Sequence, residues 1–195
     1  VIYPPVNLDE CPFSSEKEDF YLIVSRLVSY KQVSLITEAF NHLKKPLIII
    51  GTGPEMNKLR EIAQPHISIL GWQPDHIVKN YMSRAKAFVY AACEDFGIAL
   101  VEAQACGTPV IAYGSGGALE TVRDIQTHPD TGTGILFKMQ TVGALIDAVE
   151  KFADNQHLYN YQYIQTHANQ FSRQVFAERY LSFVNECREK RVYHQ

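Results

Sequence analysis

Apolar residues in this chain come in short unbroken runs, and longer stretches of helical spacing separate those runs. Phe20-Tyr21-Leu22-Ile23-Val24-Ser25 is continuously apolar up to its last residue, as expected of a strand covered on both faces. Residues 32 to 43 then place Val33, Ile36, Ala39, Phe40 and Leu43 on one helical face. The alternation continues. Strands are predicted at Pro46 to Gly51, Ile67 to Gly71, Ala87 to Ala91, Val110 to Tyr113 and, more briefly, Gly134 to Phe137. Helices are predicted from Glu55 to Ala63, with Pro54 suited to the first turn, from Asp75 to Ser83 and from Ile98 to Cys106. Gly107-Thr108-Pro109 breaks the last of these. Three more close the chain, Val142 to Phe152, His157 to Asn169 and Arg173 to Lys190. Strands that alternate with helices imply a parallel sheet with helices on both faces. The fold expected is α/β, a Rossmann-like three-layer sandwich on a six-stranded parallel sheet.

The pattern divides the chain into a linker and polar loop over 1–19, an α/β domain over 20–170 and a C-terminal helix over 171–195. The opening Val1-Ile2-Tyr3-Pro4-Pro5-Val6-Asn7 is apolar and proline-paired, an extended stretch that reads as the exit from a preceding domain. A length of 195 residues suits one substantial domain. The formal charge of -3 argues against a broad nucleic-acid surface. No apolar run reaches the roughly 18 residues that a membrane span needs, and no charged-then-apolar signal segment opens the chain. Cys11, Cys93, Cys106 and Cys187 lack zinc-type pairing, so they read as reduced thiols of a cytosolic protein, with Cys93 and Cys106 buried. Phe176, Tyr180, Phe183 and Val184 form a helical stripe that predicts core packing. The tail cations Arg188, Lys190 and Arg191 leave open a peripheral contact with an anionic membrane.

Ligands of open parallel sheets bind beyond the carboxyl ends of the strands. There the sequence sets Arg26 and Lys31, then Gly51-Thr52-Gly53-Pro54-Glu55, then Gly71-Trp72-Gln73-Pro74-Asp75. Glu94-Asp95-Phe96-Gly97 and Gly114-Ser115-Gly116-Gly117 with Glu120 follow. Neither glycine pair completes a dinucleotide fingerprint, because Met56 and Leu119 stand where the third glycine belongs. Arginine offers a planar fork of donors and lysine a mobile point charge, so Arg26 and Lys31 suit a diphosphate; two solvated surface cations are the plainer alternative. Free amides near Gly97, Ile98 and Ala99 at a helix start suit an anion. Glu94 and Glu102 can reach different parts of one elongated ligand, or serve as a capping acid and an ordinary helix acid.

Taken in order, these segments resemble a known family. Glu94-Asp95-Phe96-Gly97 through Glu102-Ala103 to Cys106-Gly107-Thr108-Pro109 resembles the paired-glutamate signature of retaining GT-B glycosyltransferases of the family-4 type. Ser25-Arg26-Leu27 with Lys31 is similar to their diphosphate-binding pair, and Tyr3-Pro4-Pro5-Val6 to the linker entering their C-terminal domain. Gln32 stands where that lysine is often followed by glycine, which resembles some bacterial mannosyltransferases. The resemblance implies the C-terminal half of a GT-B fold, moving a hexose such as mannose from a nucleotide diphosphate sugar to a glycan or lipid-linked acceptor. It implies that Arg26 and Lys31 hold the diphosphate, that amides of Gly97, Ile98 and Ala99 touch phosphate and sugar, and that Gly53 belongs to a family-style turn. Glu94 would bond the donor sugar and Glu102 the ribose. Gln73 and Asp75 would lie by the base, where a carboxylate suits guanine and favours GDP-mannose over a UDP-sugar. Glu94, Arg26 and Lys31 are the catalytic candidates, and no metal or other cofactor is required. The acceptor would be held by an N-terminal domain outside this chain, at the inner face of the cell membrane. A nucleotide-sugar epimerase and a non-catalytic nucleotide-binding module are the rival readings.

Overall fold

The computed structural model describes the backbone of residues 1–192 and the side chains of residues 1–189. Six strands form one wholly parallel sheet: β1 (Tyr21–Val24), β2 (Leu47–Ile50), β3 (Ile67–Gly71), β4 (Ala87–Tyr90), β5 (Val110–Tyr113) and β6 (Gly134–Phe137). Their spatial order is β3-β2-β1-β4-β5-β6, so the chain runs outward from β1 to one edge and then returns to build the other half. The order reverses between β1 and β4. Successive residues of each strand point to opposite faces, and the core divides accordingly. Tyr21, Ile23, Leu47 and Ile49 pack beneath α1 (Val33–Leu43), α2 (Met56–Ile62) and α6 (Val142–Asp154). Leu22, Ile50, Phe88 and Tyr90 pack on the other face beneath α3 (Asp75–Arg84) and α4 (Ile98–Ala105). This is the expected α/β sandwich.

Several expectations are corrected. The helix predicted over His157 to Asn169 is interrupted. A single turn, Gln156–Leu158, precedes Tyr159 in an extended conformation, and α7 (Tyr161–Ala168) begins afresh with the Asn160 side chain capping Tyr163. Burial of Tyr159 and the new cap outweigh the helical period there. A short α5 (Ala118–Thr121), which the sequence pattern does not single out, follows Gly117. Cys106 is fully buried, but Cys93 is exposed because it lies past the end of β4, on the ligand-side loop.

The largest correction concerns α8 (Arg173–Val192). Its apolar stripe does not pack into the core. Tyr180 is 51% and Phe183 54% exposed, and Leu181 beside them is 60% exposed. The helix rests on the turn Asn169–Phe171 at its base and then runs beyond the sheet, so burial stops after the first turns. Arg188 is exposed, and the side chains of Lys190 and Arg191 lie outside the described residues. Among the described residues no helix is long and apolar enough to cross a membrane.

The loop over 1–19 is tied down at several points. Val6 pairs with Ser172, Tyr3 stacks on Phe96 with ring centroids 5.8 Å apart, and Lys17 donates to the Ser83 carbonyl and the Thr108 hydroxyl.

Candidate functional site

A cleft of about 720 Å³ opens at the carboxyl end of β1 and β4, where the strand order reverses. A second cavity of about 500 Å³ adjoins it and shares Val24, Ser25 and Arg26 as its wall. Together they make one elongated trough across the switch point, the place where a doubly wound sheet leaves room for a ligand.

The first cavity gathers most of the residues singled out by sequence. Arg26, Lys31, Glu94, Gly97, Ile98, Ala99 and Glu102 all line it. Arg26 follows β1 in a segment held on both sides: Ser25 donates to the Ile50 carbonyl and Leu27 to that of Thr52. Its guanidinium stays exposed at the junction of the two cavities. Lys31 ends a single turn, Ser29–Lys31, and Gln32 then adopts a left-handed conformation that reverses the chain into α1. The Lys31 ammonium forms an ion pair with Glu94 and donates to the Tyr90 hydroxyl at 2.9 Å. The rings of Tyr30 and Tyr90 flank it at 5.1 Å and 5.5 Å. It is therefore not a solvated surface cation: its side chain is 13% exposed, and partial burial lowers its pKa below the ordinary lysine range.

The opposite wall is the start of α4. Gly97 precedes the helix with φ of +83°, which a residue with a Cβ adopts only under strain, and no side chain caps this end. The Leu100 amide donates to the Gly97 carbonyl, whereas the amides of Ile98 and Ala99 have no intrahelical acceptor and lie at the cavity with the positive end of the helix dipole. Glu94 is not their cap. Its carboxylate pairs with Lys31, and its carbonyl accepts from Gly117 at 2.7 Å. A Cβ on Gly116 would stand 2.2 Å from that same carbonyl, so a glycine there lets the loop after β5 press against the loop after β4. Glu102, half-buried on α4, has its pKa raised by burial, with Lys79 opposing and Asp75 adding to the rise.

The second cavity is lined by Gly51, Thr52, Gly53, Trp72, Gln73 and Val78. Gly53 lies so close to the end of β1 that a Cβ would meet the Leu27 carbonyl at 2.3 Å; its smallness serves that packing. Trp72 is 70% exposed at the mouth. The Gln73 amide donates to the Leu70 carbonyl. Asp75 is not among the lining residues of either cavity. Its carboxylate turns to Lys79, one helical turn on, at 2.9 Å, and Glu10 lies on the other side of that buried ammonium at 3.6 Å. The spacing of Asp75 and Lys79, one helical turn apart, is visible in the sequence; that Glu10 meets the same ammonium depends on where the loop over 1–19 folds back.

Tyr90, Tyr30 and Trp72 line the trough without having been assigned a role from sequence. Tyr90 and Trp72 carried a signal: each stands at or just past the carboxyl end of a predicted strand. Among the described residues no three His, Cys, Asp or Glu side chains converge as a metal cluster would.

Comparison with known proteins adds a pedigree to this geometry. The profile of "Glycosyl transferases group 1" matches residues 9–169. Similar curated proteins include glycogen synthase 2 of Geobacter sulfurreducens, 29% identical over 138 residues, covering 66% of this chain and 28% of that protein. Another is the GDP-mannose-dependent alpha-(1-6)-phosphatidylinositol monomannoside mannosyltransferase of Mycobacterium tuberculosis, 29% identical over 144 residues, 65% of this chain and 36% of that protein. Among solved structures, Anabaena HepE in complex with UDP and glucose superposes with a TM-score of 0.78 at 20% identity, over 95% of this chain and 56% of that one. A likeness at that identity speaks for the fold. The chain spans roughly a third of the length of these curated relatives.

Proposed function

This chain belongs to the glycosyl transferases group 1 family, and on that premise we propose that it holds the nucleotide diphosphate sugar donor of a retaining hexosyltransferase. The observation that carries this reading is the trough itself. One cavity offers Arg26, Lys31 and the amides of Gly97, Ile98 and Ala99 to a diphosphate. The adjoining one offers Trp72 and Gln73 to a base. Glu102 accepts from the ribose hydroxyls and Glu94 from the sugar. An adduct on Glu94 is not needed, because its carboxylate is engaged with Lys31; the leaving diphosphate and the acceptor approach the sugar on one face.

As the sugar–phosphate bond breaks, negative charge builds on the diphosphate. In this reading Arg26 and the α4 dipole face that charge, and Lys31 turns to it from its pair with Glu94. In this reading they supply the neutralisation that a divalent ion supplies elsewhere, so no metal or other cofactor is required. GDP-mannose is the donor we favour, supported by the GDP-mannose-dependent mycobacterial relative. The Asp75 argument for guanine does not support it, since that carboxylate is turned to Lys79. A UDP-sugar is the second reading, supported by the similar fold of HepE, whose complex holds UDP and glucose. The acceptor, a glycan or a lipid-linked glycan at the cytoplasmic face of the membrane, is held by an N-terminal domain across the trough.

Calorimetric titration with GDP, UDP, ADP and NAD, with and without magnesium, tests this reading. Metal-independent binding of one nucleoside diphosphate is expected, and the one that binds names the base. Binding of NAD alone, or of none of the four, would overturn it.

A further inference from the structure

The Tyr90 hydroxyl lines the donor cavity and, among the described residues, has one hydrogen-bond partner, the Lys31 ammonium, at 2.9 Å. We propose that Tyr90 is a positioning residue: it holds the Lys31 ammonium at the place where the donor diphosphate arrives. The inference rests on the donor-binding reading given above.

Tyr90 is the last residue of β4 and is 3% exposed. Its ring stacks nearly parallel on Phe88, the neighbour two residues back on the same strand face, with centroids 6.2 Å apart. Strand and ring are both fixed by the core, so the hydroxyl is a rigid post. Lys31 is the opposite case, a four-carbon stem rising from a single turn between Ser29 and Gln32. Left to itself such a stem samples many rotamers, and ordering it on binding costs entropy. The Tyr90 hydroxyl and the flanking rings of Tyr30 and Tyr90 restrict it beforehand.

The charges around the ammonium explain why a second anchor is needed. Glu94, from the loop after β4, takes one of its three N–H donors. An incoming diphosphate competes with that carboxylate. If Glu94 turns to the sugar hydroxyls, the ammonium loses its one carboxylate partner among the described residues, and the tyrosine oxygen is the protein acceptor that remains beside the diphosphate. Arg26, Asp95, Cys93 and Glu102 line the rest of the cavity. Burial holds the Tyr90 phenol above its usual range, so it stays neutral and can accept from Lys31 wherever the ammonium is charged. The same burial depresses the pKa of Lys31. Donor binding therefore weakens as pH rises through the lysine pKa, and an acceptor that favours the charged form keeps that loss at higher pH.

The test compares wild type, Tyr90→Phe, Lys31→Ala and Met82→Ala by calorimetric titration with GDP, UDP and ADP across an alkaline pH series. Tyr90→Phe is expected to weaken the nucleoside diphosphate that binds wild type by about fivefold, the net worth of one hydrogen bond. It should also move the alkaline loss of affinity to lower pH. Met82→Ala perturbs the same core at its far end, where the Met82 carbonyl meets Thr108, without touching the ammonium or the Tyr90 ring, so it should lower the melting temperature and leave the alkaline limb in place. Wild-type affinity and an unmoved limb in Tyr90→Phe, with Lys31→Ala weakened, would overturn the positioning role while leaving the donor site standing. A limb that moves equally in Met82→Ala would also overturn it, as a mere packing effect. Failure of wild type to bind any of the three diphosphates would remove both the site and the role.

Discussion

Replacing Glu102 with glutamine should make this protein more stable and a poorer binder of nucleotide at once. The carboxylate is half-buried on α4, and burial is the largest influence on its pKa, which lies above the ordinary 4.5; Lys79 offsets only part of that rise. The native chain thus holds this proton more tightly than the unfolded chain does. Stability then falls as pH rises through the interval above 4.5, and near neutrality the ionised side chain carries its desolvation cost in full. Glutamine keeps the shape without the charge, so Glu102→Gln should melt higher than wild type at about pH 7, with the difference closing at about pH 4, where both side chains are neutral. Binding should move the other way. A hydrogen bond to a charged acceptor is worth about 1.5–3 kcal/mol and one to a neutral acceptor about 0.5–1.5 kcal/mol. The exchange therefore forfeits roughly 1–1.5 kcal/mol, a loss of about five- to tenfold in affinity. Differential scanning calorimetry at the two pH values, with isothermal titration of the nucleoside diphosphate that wild type binds, reads both effects. A variant that melts lower at neutral pH and binds as well as wild type would refute the reasoning, because Glu102 would then be an ordinary structural acid.

Lys31→Ala removes a charge-assisted contact and leaves Glu94 unpaired, so nucleoside diphosphate affinity should fall by about tenfold or more in the same titration. Lys17, buried against Ser83 and Thr108, has its pKa lowered to about 8. Between about 8 and the ordinary 10.5 the unfolded chain binds more protons than the native one, so stability should rise with pH across that interval. Lys17→Met should lack this rise, as measured by chemical denaturation at each pH. Phe152→Ala, on the buried face of α6, should cost about 3–5 kcal/mol in denaturant unfolding. Phe183→Ala, on the unpacked stripe of α8, should stay within about 0.5 kcal/mol, and a large loss there would show that the stripe is packed after all.

The sheet was legible because a strand covered on both faces cannot avoid a continuous apolar run. Leu47 to Ile50 and Val110 to Tyr113 announce themselves without reference to any neighbour. Regular alternation with helices then implied parallel pairing, and parallel pairing implied that the residues just past each strand would meet at one edge. Arg26, Lys31, Glu94, Gly97 and Glu102 were therefore readable as a group before any of their contacts was known. Their separate places along the chain said nothing about which would touch. Tertiary structure alone decided that Lys31 pairs with Glu94 and bonds Tyr90, since residues about sixty positions apart meet only when β4 lies beside β1. It also brought Glu10, from the loop over 1–19, to the Lys79 ammonium that Asp75 pairs with one helical turn away. Helical period predicted a buried stripe on α8, yet period reports only that apolar residues share a face. Whether that face is covered depends on what lies across it, and among the described residues α8 packs on the turn at its base and leaves Tyr180 and Phe183 exposed.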